Sequence, residues 1–404
     1  MSKSYPVGPP IHLKGEKNMQ RLVLDPQAGF LYKDPESGTL MPCQGVCQII
    51  VAVPRTANEI NDIPFLPYRD EQQVSNAKSK TYRMSCKKCL LEQRESLCPH
   101  SLEERSFRST YCLCEIFHAY SLGYVILQME EALIYTQSAK IFSSFFKLCA
   151  SYKIRYDNVP EEHSDRLPEY CQQINEGMAF TEDFERLTPE LLVTNLSEKT
   201  ATKNYINTII GKLGQRPAQP CLEFVSDPER LDAMFSDGKI NIQSVFHVTD
   251  DTLQVNYLQR EEFIQDSRKT SPILNALVTA HSRIHLDENL RKLQSKGISL
   301  LYIDTDSCII KARNDLKDIG LPLHSVIFGH FKSEVPPGLY IRSFLGLRYV
   351  QSQKNLATCG HMVFPAAAAA ALVILLIFFF YVSAAKIIAT ICMTAKPTNL
   401  WRGW

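Results

Sequence analysis

The chain has 404 residues, and its 44 Lys and Arg against 43 Asp and Glu leave a formal charge of +1 with histidine neutral. Hydrophobic residues at 45%, charged residues at 22%, 17 Gly and 22 Pro suit a folded protein of two or three domains and exclude a disordered, collagenous or mini-protein chain. So even a charge balance excludes recognition of a polyanion by bulk charge, and any nucleic-acid contact has to come from local patches.

The first thirty residues hold Lys3, Lys14, Lys17 and Arg21 without the apolar run of a secretory signal peptide. Thirteen Cys are too sparse for a disulfide scaffold and odd in number, which points to a reducing compartment, whether nucleus, cytoplasm or organelle. Cys47 to Val53 reads as a buried strand ended by Pro54, and Tyr124 to Met129 as another after Gly123. Ala139 to Tyr152 carries Ile141, Phe142, Phe145, Phe146 and Leu148 at helical spacing. Further helices are expected at 199–214 and 273–297. Arg155 to Glu190 reads as polar and irregular, and Phe224 to Tyr257 as turn-rich with short strands in INIQSVFHV and LQVNYL.

Between the first two strands lies Cys86-x2-Cys89-x8-Cys98-Pro99-His100, followed by Cys112 and Cys114, so five Cys fall within 29 residues. Thiolates paired in this way with a nearby His can close a tetrahedral zinc site. The best ligand set is Cys86, Cys89, Cys98 and either His100 or Cys112; the alternative is a group of free thiols. A structural zinc would stiffen this segment and take no part in chemistry.

The sharpest feature is SLLYIDTDSCIIKA at 299–312, which reads strand, tight turn, strand. In extended backbone Asp304 and Asp306 project from one face, and two such carboxylates suit a hard divalent cation. A bare acidic turn is more often a solvated loop. Tyr302-x-Asp304-Thr305-Asp306-Ser307, however, resembles the YxDTDS motif of family B DNA polymerases. Residues 203–211, KNYINTIIG, are similar to that family's K-x3-N-S-x-Y-G fingers helix: Lys203, Asn207 and Gly211 share one helical face, opposite Ile206, Ile209, Ile210 and Leu213. Thr208 stands where the family has Ser, and Ile210 where it has an aromatic. GKLGQR at 211–216, NALVTAHSRIHL at 275–286 and CPHSLEER at 98–105 resemble the protein-primed branch, found in organellar plasmids, viruses and self-synthesising transposons. On the 275–286 stretch, His281 and Arg283 are either contact residues or polar residues of surface or core.

The resemblance implies an α+β fold, an antiparallel palm with helical fingers and a Cys-rich insertion. It divides the chain into the start of the palm after motif A at 1–40, the insertion with palm strands at 41–135, a helical or irregular connector at 136–198, the fingers helix and following palm segments at 199–298, and the palm with its hairpin at 299–350. It further implies a DNA-directed DNA polymerase acting on a DNA template-primer, a dNTP and a terminal-protein primer. Asp304 and Asp306 would be the Mg²⁺ ligands; Lys203, Asn207 and Gly211 would bind the nucleotide. Tyr5-Pro6-Val7-Gly8 resembles the residues just downstream of motif A, so the motif A aspartate and the exonuclease domain are expected to be missing, and the chain alone to be inactive. Arg348-Tyr349 only loosely resembles the family's K-x-Y, and the thumb is expected to be missing too.

Met362 to Ala385 holds no charge and would span about 36 Å as a helix, enough for a membrane. The 361–385 segment is therefore read either as a transmembrane span or as an incidental tail. The rival to the polymerase is a non-catalytic, membrane-tethered protein that keeps a polymerase-derived fold; a third reading is a nucleic-acid binder without chemistry.

Overall fold

The computed structural model describes residues 3–55, 63–69, 81–83, 86, 88–89, 98–215, 220–264, 270–304, 307–312, 319–324, 326–333, 340–341, 343–348, 358–363, 372–378 and 393–394. The fold is α+β with antiparallel sheets. The chain divides into two units, Met1–Asn207 with Leu277–Trp404, and Thr208–Ala276.

The first unit opens with β1 (Tyr5–Val7), β2 (Ile11–Lys14) and a single helical turn, α1 (Glu16–Met19). A three-stranded meander follows, β3 (Leu22–Asp25), β4 (Gly29–Lys33) and β5 (Leu40–Pro42). Next comes β6 (Gln44–Ala52), whose Gly45, Cys47, Ile49 and Val51 alternate into the core as a half-buried strand requires. Two short strands, β7 (Pro67–Arg69) and β8 (Thr81–Arg83), pair with each other in the segment after β6. The chain returns as β9 (Ser106–Cys112), passes directly into α2 (Leu113–Ser121), and continues as β10 (Val125–Tyr135) and β11 (Gln137–Ala139). The principal sheet runs β2-β10-β6-β9, and α2 buries Ile116 and Ala119 in the core formed with it. The Glu115 carboxylate accepts the Cys112 backbone N–H at 3.3 Å, closing the start of α2 as a capping box.

Gly45 sits at φ +146 opposite Ile134, and a Cβ there would lie 2.1 Å from the Leu133 carbonyl oxygen. Backbone cannot retreat like a flexible side chain. Gly45→Ala is therefore expected to destabilise the chain by about 1–3 kcal/mol, read as a lower urea midpoint at constant slope. An unchanged midpoint would mean that β10 yields at Leu133.

Helices α3 (Ser143–Arg155) and α4 (Leu167–Met178) share a second core of Ala150, Ile154, Tyr170, Cys171, Ile174 and Met178. The polar segment expected to be irregular thus contains a 12-residue helix, whose buried residues Tyr170, Cys171, Ile174 and Met178 recur at helical spacing along one face. Next is α5 (Leu196–Leu213), whose last turns belong to the second unit.

The second unit carries β12 (Cys221–Val225), α6 (Pro228–Ser236), β13 (Ile240–Thr249) and β14 (Thr252–Gln259), in the order β12-β14-β13 around Val225, Met234 and Val255. Asp227 caps α6 by accepting the Glu229 N–H at 3.0 Å, and Pro228 takes the first helical position.

Helix α7 (Pro272–Ser295) leads back into the first unit. There β15 (Ser299–Asp304) and β16 (Ser307–Ala312) pair antiparallel, with Asp304 opposite Ser307. Leu286, Leu290 and Leu293 of α7 pack with Leu300, Cys308 and Ile310 of the hairpin. The remaining strands are β17 (Phe331–Ser333), β18 (Tyr340–Ile341), β19 (Ser343–Arg348), β20 (Thr358–Val363), β21 (Leu372–Phe378) and β22 (Met393–Thr394).

The expected membrane span has to be corrected. Within the 362–385 segment, Leu372–Phe378 is a strand, held between β16 and β17 in a sheet ordered β15-β16-β21-β17. No helix among the described residues is long and apolar enough to cross a membrane. An unbroken apolar run fits a strand paired on both edges as well as it fits a helix, and periodicity cannot separate the two. Residues 364–371 and 379–392 lie outside the described residues.

Candidate functional site

The two strands expected of the acidic hairpin are present and pair antiparallel. Cys308, Ile309 and Ile310 are buried, so the apolar arms lie in the core while β15 ends at Asp304. Thr305 and Asp306 lie outside the described residues, and so do the side chain of Asp304 and the expectation that both carboxylates share a face.

On α5, Ile206 and Ile210 are buried and Lys203 is exposed, which matches the two-faced helix read from the sequence. The Asn207 Oδ1 is buried without a hydrogen-bond partner, a state that calls for a ligand or water donor. Gly211 is exposed, and a Cβ there would meet nothing within 4 Å.

Sequence reading missed Lys153. It extends the buried stripe of α3 that runs through Cys149 and Ala150, and spacing alone could have marked it. Its ammonium lies 4.8 Å from the centre of the Phe328 ring. Burial pushes its pKa down; Asp157 opposes this, and the like charges of Lys199, Lys203 and Lys332 reinforce it, to about 8. Lys199 also pairs with Asp157. Helix α5 and strand β17 therefore both bring lysines into the electrostatic range of Lys153.

A cleft of about 260 Å³ lies among Phe30, Gln44, Leu113, Phe117, Leu277 and His281. His281 meets the Tyr5 ring edge-on at 6.0 Å. Burial, then the positive charge of Lys3, holds its pKa down at about 4. Arg283 is a partly buried ion-pair residue: its Nε donates to Glu115 at 2.7 Å, and Glu115 is 1% exposed.

The Cys-rich segment resolves one open choice. Cys86, Cys89, Cys98 and His100 are all buried, and each offers a donor atom within 4.8 Å of the others. The Nδ1 of His100 lies 3.5 Å from the Cys86 sulfur, 3.3 Å from that of Cys89 and 3.4 Å from that of Cys98. Such a set could hold a metal ion such as zinc. Cys112 is not part of it: it pairs with Val46 at the end of β9, caps α2, and its thiol is raised first by the Cys114 thiol and then by burial. Burial pulls the Cys98 thiol upward, but hydrogen bonds from Cys89, the His100 backbone and ring, and Cys86 bring it to about 7. Burial first, then Cys98 and Cys86, pushes Cys89 up to about 12. A metal entering here has to displace protons, since only thiolates ligate.

Around the cluster, the His100 carbonyl accepts from Arg105 Nε at 3.3 Å and Arg55 Nη2 at 3.5 Å. Arg105 also donates to the Val53 carbonyl. Lys88 pairs with Glu104, which takes the Ser101 N–H at 2.9 Å. The Lys88 contact holds Glu104 down at about 2.

The chain matches no known protein family, no curated protein and no solved structure.

Proposed function

We propose that the chain carries the palm and fingers of a DNA-directed DNA polymerase and works in nucleotidyl transfer to a DNA or terminal-protein primer. The observation that carries this reading is the YxDTDS stretch lying on an antiparallel hairpin that ends β15 at Asp304. Two carboxylates beside hydroxyls form a hard-oxygen donor set of the kind Mg²⁺ takes. In this reading Asp304 and Asp306 hold that ion, which when bound neutralises charge on the transferring phosphate. Lys203 supplies a cation to the triphosphate, and the unpartnered Asn207 Oδ1 waits for a donor from the nucleotide or its water. Gly211 leaves open space on the same helical face. Lys153 and Lys332 add positive potential near Lys203, which favours a polyphosphate. The Cys/His cluster holds a structural zinc in the Cys-rich insertion, away from any chemical step.

The test is Mg²⁺-dependent binding of radiolabelled dATP to the full chain. Lys203→Ala is expected to weaken binding about tenfold, the loss of one charge-assisted contact, and Asp306→Asn to remove the Mg²⁺ dependence. Wild-type binding in both variants would overturn the reading.

A further inference from the structure

We propose that Cys86, Cys89, Cys98 and His100 bind one zinc ion as a closed Cys3His site, with His100 ligating through Nδ1 and Arg105 positioning its backbone. This deepens the structural-zinc reading above.

The three sulfur-to-Nδ1 separations, 3.5, 3.3 and 3.4 Å, are nearly equal. One ring nitrogen offers a single lone pair or a single N–H, so it serves one good hydrogen bond and not three. A tetrahedron has the required symmetry. With Zn–S near ~2.3 Å and Zn–N near ~2.0–2.1 Å, the sulfur-to-nitrogen edge of a tetrahedral site is about 3.5–3.6 Å. The measured separations fall just inside that edge, as expected of donors gathered around a small central ion. Three sulfurs and one nitrogen form a soft set that selects zinc over magnesium or calcium, and four protein ligands leave no open position for catalysis.

The surroundings fit the same ion. Three thiolates around Zn²⁺ carry a net charge of −1, which is expensive to bury without a compensating cation. Arg105 is itself 7% exposed and donates to the His100 carbonyl, with Arg55 on the same oxygen. By also donating to Val53, and through the Val53 N–H on its own carbonyl at 3.2 Å, Arg105 ties His100 to the point where the chain leaves β6. Residues 53–105 connect β6 to β9, neighbours in the principal sheet. A connection of this length is entropically costly to order, and the ion would close its second half between Cys86 and His100.

Zinc content of the purified full chain is expected at about one per chain, and the cobalt-substituted protein is expected to show tetrahedral ligand-field bands with sulfur-to-cobalt charge transfer. His100→Cys should raise that charge transfer by about a third, four thiolates replacing three. Cys112→Ser should leave it unchanged. Arg105→Gln should keep full loading at saturating zinc but lose affinity about 10–100-fold in chelator competition. Zinc near zero in a chain folded by circular dichroism, no change of charge transfer in His100→Cys, or a loss of charge transfer in Cys112→Ser would each overturn the proposal. The wild-type measurements need no variant to fold. None of these readouts involves nucleotide, so failure of dATP binding leaves the zinc site standing, and a zinc-free chain leaves the dATP result standing.

Discussion

Alanine in place of Asp287 is expected to destabilise the chain by about 3 kcal/mol, the low end of the range for stripping one partner from a buried ion pair, because the cation left behind keeps access to water. The carboxylate is 1% exposed. Its Oδ2 accepts from His118 Nε2 at 2.8 Å and Arg291 Nε at 2.7 Å, and its Oδ1 from Arg291 Nη2 at 3.2 Å. Truncation would leave the Arg291 guanidinium, on a side chain 32% exposed, with the Ile63 carbonyl at 2.9 Å as its remaining partner among the described residues. The same helix face carries Arg283 against Glu115, so two residues three apart on α2 meet two residues four apart on α7. These contacts join segments more than 160 residues apart, and α7 in turn packs the hairpin that ends at Asp304. Asp287→Asn keeps an acceptor and should lose less, about 1–3 kcal/mol. Urea denaturation reads both variants; an alanine variant within about 0.5 kcal/mol of wild type would mean that the cluster contributes no more than an exposed site does.

Acid is expected to weaken the fold in a window set by His281. Burial, then Lys3, lowers its pKa from 6.5 to about 4. Between those values the unfolded chain binds a proton that the native chain refuses, so stability falls as pH drops from about 6.5 to about 4 and His281 contributes no further loss below that. A shift of this size corresponds to about 3 kcal/mol at ~1.36 kcal/mol per unit. His285 and His330, both lowered first by burial, act in the same direction. The carboxylates with lowered values, Asp25 and Asp34 through backbone N–H groups and Glu104 chiefly through Lys88, lose their contribution only at lower pH. His281→Gln removes the imidazole that burial holds down at about 4, so the variant's stability should fall less between pH 6.5 and 4 than that of the parent chain. Parallel pH profiles for the two proteins would show that the imidazole does not carry the effect.

The elements legible in the sequence were those whose signal is local. Apolar arms on either side of Asp304-Thr305-Asp306 marked the hairpin, and a 3.6-residue alternation around Ile206 and Ile210 marked α5. The Cys-x2-Cys spacing with Cys98 marked the cluster and left His100 and Cys112 as rivals for its fourth place. Helix α4 escaped although Tyr170, Cys171, Ile174 and Met178 recur at helical spacing, and α6 escaped although Asp227 and Pro228 announce its start.

Sequence by itself determined the arms of the hairpin, the two faces of α5 and which donor atoms lie near one another along the chain. Tertiary structure decided the partners. His100 rather than Cys112 completes the cluster because β9 carries Cys112 into register with Val46 and on into the cap of α2. Leu372–Phe378 is a strand because β16 and β17 pair with its two edges, and Arg283 is tied to the core through the buried carboxylate of Glu115. Periodicity reports which side of an element avoids water, whereas the surface that covers that side comes from distant chain and is settled only when the whole core closes.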